Sequence, residues 1–193
     1  MRRSLPAAIV GLTALAAATA CADSEGGTAK AQATTTVSTT ESTSVKPSSS
    51  RPREIKLDGK NPCELMTSDQ LAQIGKTTTP RPGTNKTFNS PNCVYTATGA
   101  FWDITTVVTS GIEFWTETER KARPAAIPPI EGFPAITVTD PSDRVSCSIA
   151  VDTAGGQYLF ASFEVSKSFE DHFPKPCDGA RQVAEAAMQN LTK

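Results

Sequence analysis

Histidine is almost absent from this chain: His172 is the only one in 193 residues. Any Ser-His-Asp or Cys-His arrangement would have to be built on it. Its setting, Phe169-Glu170-Asp171-His172-Phe173-Pro174, is that of a loop residue. The same scarcity works against zinc, whose tetrahedral sites draw on several His and Cys ligands. No glycine-rich phosphate loop is present, because Gly26-Gly27 lies in a polar run and Gly155-Gly156 suits a hairpin. Asp140-Pro141-Ser142-Asp143 is a turn without the Asp-x-Asp-x-Asp-Gly spacing of a calcium loop. Glu113, Glu117 and Glu119 cluster and, with Arg120, Lys121 and Arg123, read as a solvated helix face. Nor is one sign of charge in excess. With 19 basic and 20 acidic side chains, nothing draws the chain to nucleic acid. No catalytic residue, metal-ligand set or cofactor motif stands out.

What is present begins at the N-terminus. Met1-Arg2-Arg3 is positive, and Leu5 to Ala18 form an apolar run. That run has the length of a signal-peptide core and is too short for a permanent membrane span. Ala18-Thr19-Ala20-Cys21 then resembles the bacterial lipobox, in which small residues precede a lipidated cysteine. Residues 1–20 are thus expected to be a signal peptide and Cys21 the site of lipidation. Between residues 28 and 50, 13 of 23 residues are Ser or Thr. Such a stretch buries too little apolar surface to offset its ordering entropy. Residues 21–58 are expected to be the lipidated cysteine and a disordered tether, with a reach of roughly 30–36 Å.

Residues 59–193 are expected to form one globular domain. Thr67 with Gln70 predicts a capping box, and Met66 with Leu71 a hydrophobic staple. The helix they open is expected to end at Gly75 in a left-handed cap. Near the C-terminus, Ala180, Val183, Ala184, Ala187, Met188 and Leu191 form an apolar stripe at the helical period, with Asp178 as its cap. Between these helices, 93–97, 101–109, 135–139, 145–152 and 157–165 are rich in β-branched and aromatic residues and predict strands. A short amphipathic helix is expected over 113–122. Pro124, Pro128, Pro129 and Pro134 predict an extended surface loop. The fold class is therefore α+β, an antiparallel sheet of about five strands packed with an N-terminal and a C-terminal helix. Of the aromatic residues, Phe101, Trp102, Phe114 and Trp115 are candidates for a pocket. On a strand Phe101 and Trp102 must face opposite ways.

Five cysteines is an odd number. Setting Cys21 aside leaves Cys63, Cys93, Cys147 and Cys177, an even set that predicts two disulfides in an exported chain. Asn61-Pro62-Cys63 and Lys175-Pro176-Cys177 both precede helices, each 30 residues from a strand cysteine. This symmetry favours Cys63–Cys93 and Cys147–Cys177. Cys63–Cys177 with Cys93–Cys147 also fits the sequence. The segments 61–67 and 70–75, Cys93-Val94-Tyr95 and Pro176-Cys177 resemble an actinobacterial lipoprotein family whose domain has no known function. The resemblance runs over about residues 60–192, and Tyr95 stands where members commonly carry Trp. It implies a cell-envelope address and no established active residues. Together these features lead to the expectation of a protein held by lipid on the outer face of the cell membrane. Its domain is expected to be a non-enzymatic binding or accessory module for an envelope lipid, glycan or protein. The alternative is a hydrolase of envelope polymers.

Overall fold

The computed structural model describes residues 50–75, 79–116 and 121–193. The signal segment, Cys21 and the Ser/Thr-rich stretch up to residue 49 lie outside these residues, as do Glu117, Glu119 and Arg120 of the proposed charged helix face.

Seven strands form one antiparallel sheet. They are β1 (Arg81–Asn85), β2 (Ser90–Ala97), β3 (Ala100–Val107), β4 (Arg123–Ile130), β5 (Phe133–Thr139), β6 (Ser146–Ala154) and β7 (Gln157–Val165), in the order β1-β2-β3-β7-β6-β5-β4. After β3 the chain crosses to the far edge, then returns by hairpins until β7 pairs with β3. The five strands legible in the sequence are β2, β3, β5, β6 and β7. The two further strands are the sheet's edges. β4 contains Pro124, Pro128 and Pro129, read above as a loop. Proline cannot donate to a ladder, so within sheets it is confined to edges and bulges. The β4–β5 register shifts between Ile127 and Ile130, at the two adjacent prolines. β1, Arg-Pro-Gly-Thr-Asn, has no apolar alternation to announce it and is exposed for its first four residues.

Two helices, α1 (Ser68–Ile74) and α2 (Pro176–Leu191), close one face. The capping box at α1 is formed: Gln70 N donates to Thr67 Oγ1 at 3.3 Å and Thr67 N to Gln70 Oε1 at 2.9 Å. Gly75 ends the helix in an extended conformation, φ 167°, and not in a left-handed cap. A Cβ there would lie 3.0 Å from the Phe173 ring, so close packing rather than backbone handedness asks for glycine. α2 starts earlier than Asp178. Lys175 is its N-cap and Pro176 takes the first helical position, where a missing N–H costs nothing. Asp178 sits within the first turn, favourably placed for the helix dipole. The stripe from Ala180 to Met188 is buried against Leu159, Ala161, Phe163, Ile149 and Val151 of the sheet. Of the helix expected over 113–122, residues 117–120 lie outside the described residues, and its start is a four-residue 3-10 turn, Ile112–Trp115. It packs on the opposite face, where Phe88, Val107, Trp115, Ile136, Tyr158 and Phe160 make a second apolar cluster.

Cys63 pairs with Cys93 and Cys147 with Cys177, with Cα–Cα distances of 5.0 and 4.9 Å. Each bridge ties the start of a helical segment to a strand. Each constrains the unfolded chain by about 3–4 kcal/mol on the loop-entropy account.

The domain boundary expected at residue 59 lies earlier. Ile55 and Leu57 belong to the core at 8% and 1% exposure. Ile55 N donates to Thr153 O at 2.8 Å and Leu57 N to Gln157 Oε1 at 2.7 Å. Arg51 bonds Asp152 at 2.6 Å, and Arg53 donates to the Thr192 carbonyl. Residues 51–58 are a strap across the β6–β7 turn. Two isolated apolar residues, Ile55 and Leu57, among five charged ones carry no visible period, which is why composition alone assigns them to the tether.

Candidate binding face

The helices cover one face of the sheet, and the aromatic cluster around Trp115 covers part of the other. The remainder of that second face, toward the β2–β3 turn, has no helix over it among the described residues. Strand register sets out its rows. Thr96, Phe101, Glu164 and Ser146 stand side by side across β2, β3, β7 and β6. The adjacent row is Val94, Asp103, Ser162, Ser148 and Val138. Directly opposed residues share a face, so these side chains form one surface.

Two of them are unusual for their places. Phe101, at 39% exposure, is the exposed large hydrophobic residue of the described chain. Its neighbour Trp102 is 0% exposed in the helix-covered core, stacked between Tyr95 and Phe163. The alternation expected for this pair is thus present. Asp103 is 8% exposed on a central strand. Its carboxylate accepts from Thr105 Oγ1 at 2.9 Å, from Ser162 Oγ and from Asn92. Thr105 Oγ1 accepts in turn from Asn85 Nδ2 at 3.2 Å. Burial pushes the Asp103 carboxyl above the usual carboxylate range, and the three hydrogen bonds act against that rise. All three donors are neutral. The ion pairs among the described residues, Arg51 with Glu54 and Asp152 and Arg181 with Glu185, leave Asp103 and Glu164 without a cation. The cation nearest in register is Arg81, opposite Val94 on the β1 edge, whose guanidinium donates to Thr96 Oγ1 at 3.4 Å.

At the Ser146 end, the Asp140–Asp143 segment folds as the turn its sequence predicts. Asp140 accepts from Ser142 Oγ at 2.6 Å and Ser142 N at 2.8 Å, and Asp143 from Ser146 Oγ at 2.6 Å and Val145 N at 2.9 Å. These bonds, the serine hydroxyls first, hold both carboxyls below their usual range.

A family model for proteins of unknown function, DUF3558, matches residues 16–190. The chain belongs to the DUF3558 family. Comparison with curated proteins and with solved structures returned no significant match. The DUF3558 match takes in Cys21 and the Ser/Thr-rich stretch as well as the sheet. Within this DUF3558 domain, Cys93 and Cys147 are buried on the face opposite to that of Asp103, and their partners Cys63 and Cys177 are half-buried and exposed at the helical segments. Phe114 and Trp115 are drawn into the second cluster by Phe88, at ring separations of 5.6 and 5.8 Å. His172 is exposed beside Phe169. No group of three or more His, Cys, Asp or Glu among the described residues is placed to hold a metal ion. No helix among them is long and apolar enough to cross a membrane. Residues that single-motif reading passes over, Asp103, Ser162 and Glu164, are the ones the sheet brings together. The available signal was an acid at the centre of Phe101-Trp102-Asp103-Ile104-Thr105, inside an otherwise core-forming strand.

Proposed function

We propose that this DUF3558 protein is an exported lipoprotein, anchored by lipid on Cys21 at the outer face of the cell membrane. On this reading its globular part is a binding module that works through the open sheet face around Phe101, Asp103 and Glu164. The observation that carries the binding half is a buried carboxylate, without a cation among the described residues, beside an exposed aromatic ring. Neither residue helps the fold in its place. An uncovered aromatic leaves apolar surface in water, and a desolvated carboxylate without a counter-charge costs free energy. The address half rests on the apolar leader, the lipobox-like Ala18-Thr19-Ala20-Cys21 and the odd cysteine. Two disulfides account for the other four cysteines, and an oxidising compartment is where such pairs persist.

The fold's layout suits an anchored binder. The strap arrives beside the β6–β7 turn, at the end where Val107 faces Tyr158. Phe101 lies at the other end of β3, opposite Glu164. With about 3.3–3.4 Å per strand residue, the entry point and Phe101 are separated by roughly 20 Å. The described chain thus enters the domain at the end of the sheet away from Phe101.

The anchor is tested by Cys21→Ala in the full chain. Wild-type protein is expected in the detergent phase after cloud-point partition and to incorporate an alkynyl fatty acid. The variant is expected in the aqueous phase or as an uncleaved precursor without label. Equal partition and equal label in both proteins would overturn the anchor.

A further inference from the structure

Charge, hydroxyl pattern and the aromatic ring together define a ligand class for this face, granted that the face binds a ligand at all. Asp103 and Glu164 occupy adjacent rows on the same surface, and neither has a cation among the described residues. Asp103 is the more telling of the two. It is desolvated, yet all its donors are neutral. Buried charges are ordinarily paired or bind a metal, and no metal-ligand cluster is placed here among the described residues. A ligand cation approaching from the open side would supply the missing partner. Such a cation would also meet Glu164, and the face of Phe101 favours positive charge at close range.

The surroundings narrow the body that carries this cation. Ser162, Ser148 and Ser146 line the β7 and β6 side of the two acids, and Thr96 lies across Phe101 from Glu164. All four are half-buried. They are short hydroxyl side chains, each able both to donate and to accept, and neighbouring strands space them about 4.7–4.9 Å apart. Ser162 and Ser146 already donate to Asp103 and Asp143, and Thr96 accepts from Arg81, so this array around one exposed aromatic ring offers a ligand mainly hydroxyl lone pairs, to which an acyl chain has no donor to give. It is well matched to a pyranose, whose apolar face covers a ring while its rim makes hydrogen bonds. We infer that this face binds a glycan bearing free amino sugars, with Glu164 and Asp103 attracting the ammonium, Phe101 under the sugar ring and the serines on its hydroxyls.

The test is calorimetric titration of the full chain, solubilised in detergent with its disulfides formed. The probes are a fully deacetylated β-1,4-glucosamine tetrasaccharide, its N-acetylated counterpart and a tetralysine peptide. The inference expects measurable binding of the deacetylated sugar and at least ten-fold weaker binding of the acetylated one, which lacks the cation. Glu164→Gln and Phe101→Ala are each expected to weaken the deacetylated sugar at least five-fold, with unchanged thermal unfolding. No binding of the deacetylated sugar at millimolar concentration overturns the inference. Equal binding of both sugars overturns the role of the cation. Tetralysine binding that depends on Glu164, without sugar binding, overturns the glycan while leaving a binding face in place. Failure of the face itself is read separately, by comparing maleimide labelling of Phe101→Cys in intact cells and in purified protein.

Discussion

Keeping a carboxylate on a central strand at 8% exposure works against the fold. Asp103 titrates above its unfolded value because burial disfavours the charge more than Ser162, Thr105 and Asn92 support it. The native state therefore holds this proton more tightly than the unfolded chain. Stability must fall as pH rises from the unfolded carboxylate range through the folded value, then level off. Asp103→Asn removes that dependence while keeping the shape. Thermal unfolding of the two proteins is expected to converge at low pH. Toward neutrality the variant should become the more stable, by on the order of 1 kcal/mol. A variant clearly less stable at neutral pH would mean that the charge is a structural asset and not a retained cost. Asp140 and Asp143 have the opposite sign. Their carboxyls are held low by serine hydroxyls, so what they contribute is present at neutral pH and fades on acidification. A comparison of wild type with Asp103→Asn cancels that common background.

At the scale of elements, the edges of the domain are where folding depends on context more than on pattern. The strap over 51–58 is an instance. Its backbone reaches the β6–β7 turn through Ile55, while Ile55 and Leu57 fill the core. Starting the chain at Gly59 removes both side chains and the Arg51–Asp152 pair. Each lost aliphatic side chain of this burial typically costs about 2–5 kcal/mol. Urea unfolding of chains starting at residue 50 and at residue 59 is expected to differ by at least about 3 kcal/mol. Equal midpoints would return the strap to the tether.

Why such elements escape the sequence follows from what carries the signal. The capping box at Thr67, the stripe of α2 and the strands β2, β3, β5, β6 and β7 are legible because local chemistry and burial agree. The disulfide symmetry was visible for the same reason, since each cysteine sits at a helix entry or on a strand. β1 and β4 are held by one neighbour each and by solvent on the other side. Their residues need only avoid conflict with a ladder, so Pro124, Pro128 and Pro129 are tolerated there. At Ile112–Trp115 the chain forms a 3-10 turn whose Trp115 packs against Phe88 and Phe160, a tertiary contact that helical periodicity does not announce. Asp103 was illegible as a site for a different reason. One acid in a strand says nothing until register places Ser162, Glu164 and Phe101 next to it.

The described part of the molecule combines a core under two helices, two cystine staples and a second sheet face that is apolar at one end and polar at the other. The apolar end is closed by Phe88 and Trp115. The polar end has no helix over it among the described residues, and Phe101 stands on it. The central proposal is that this end of the face is occupied by a partner in the cell. It is tested by labelling in place with a membrane-impermeant maleimide. Phe101→Cys is compared with Gln182→Cys, an exposed position on α2 outside the face. Both are labelled in intact cells and again as purified full-length protein in detergent. Gln182→Cys is expected to label equally in the two settings, which also reports an extracytoplasmic position. Phe101→Cys is expected to label at least five-fold more slowly in cells than after purification. Equal labelling of Phe101→Cys in both settings, with Gln182→Cys reactive in cells, would contradict an occupied binding face.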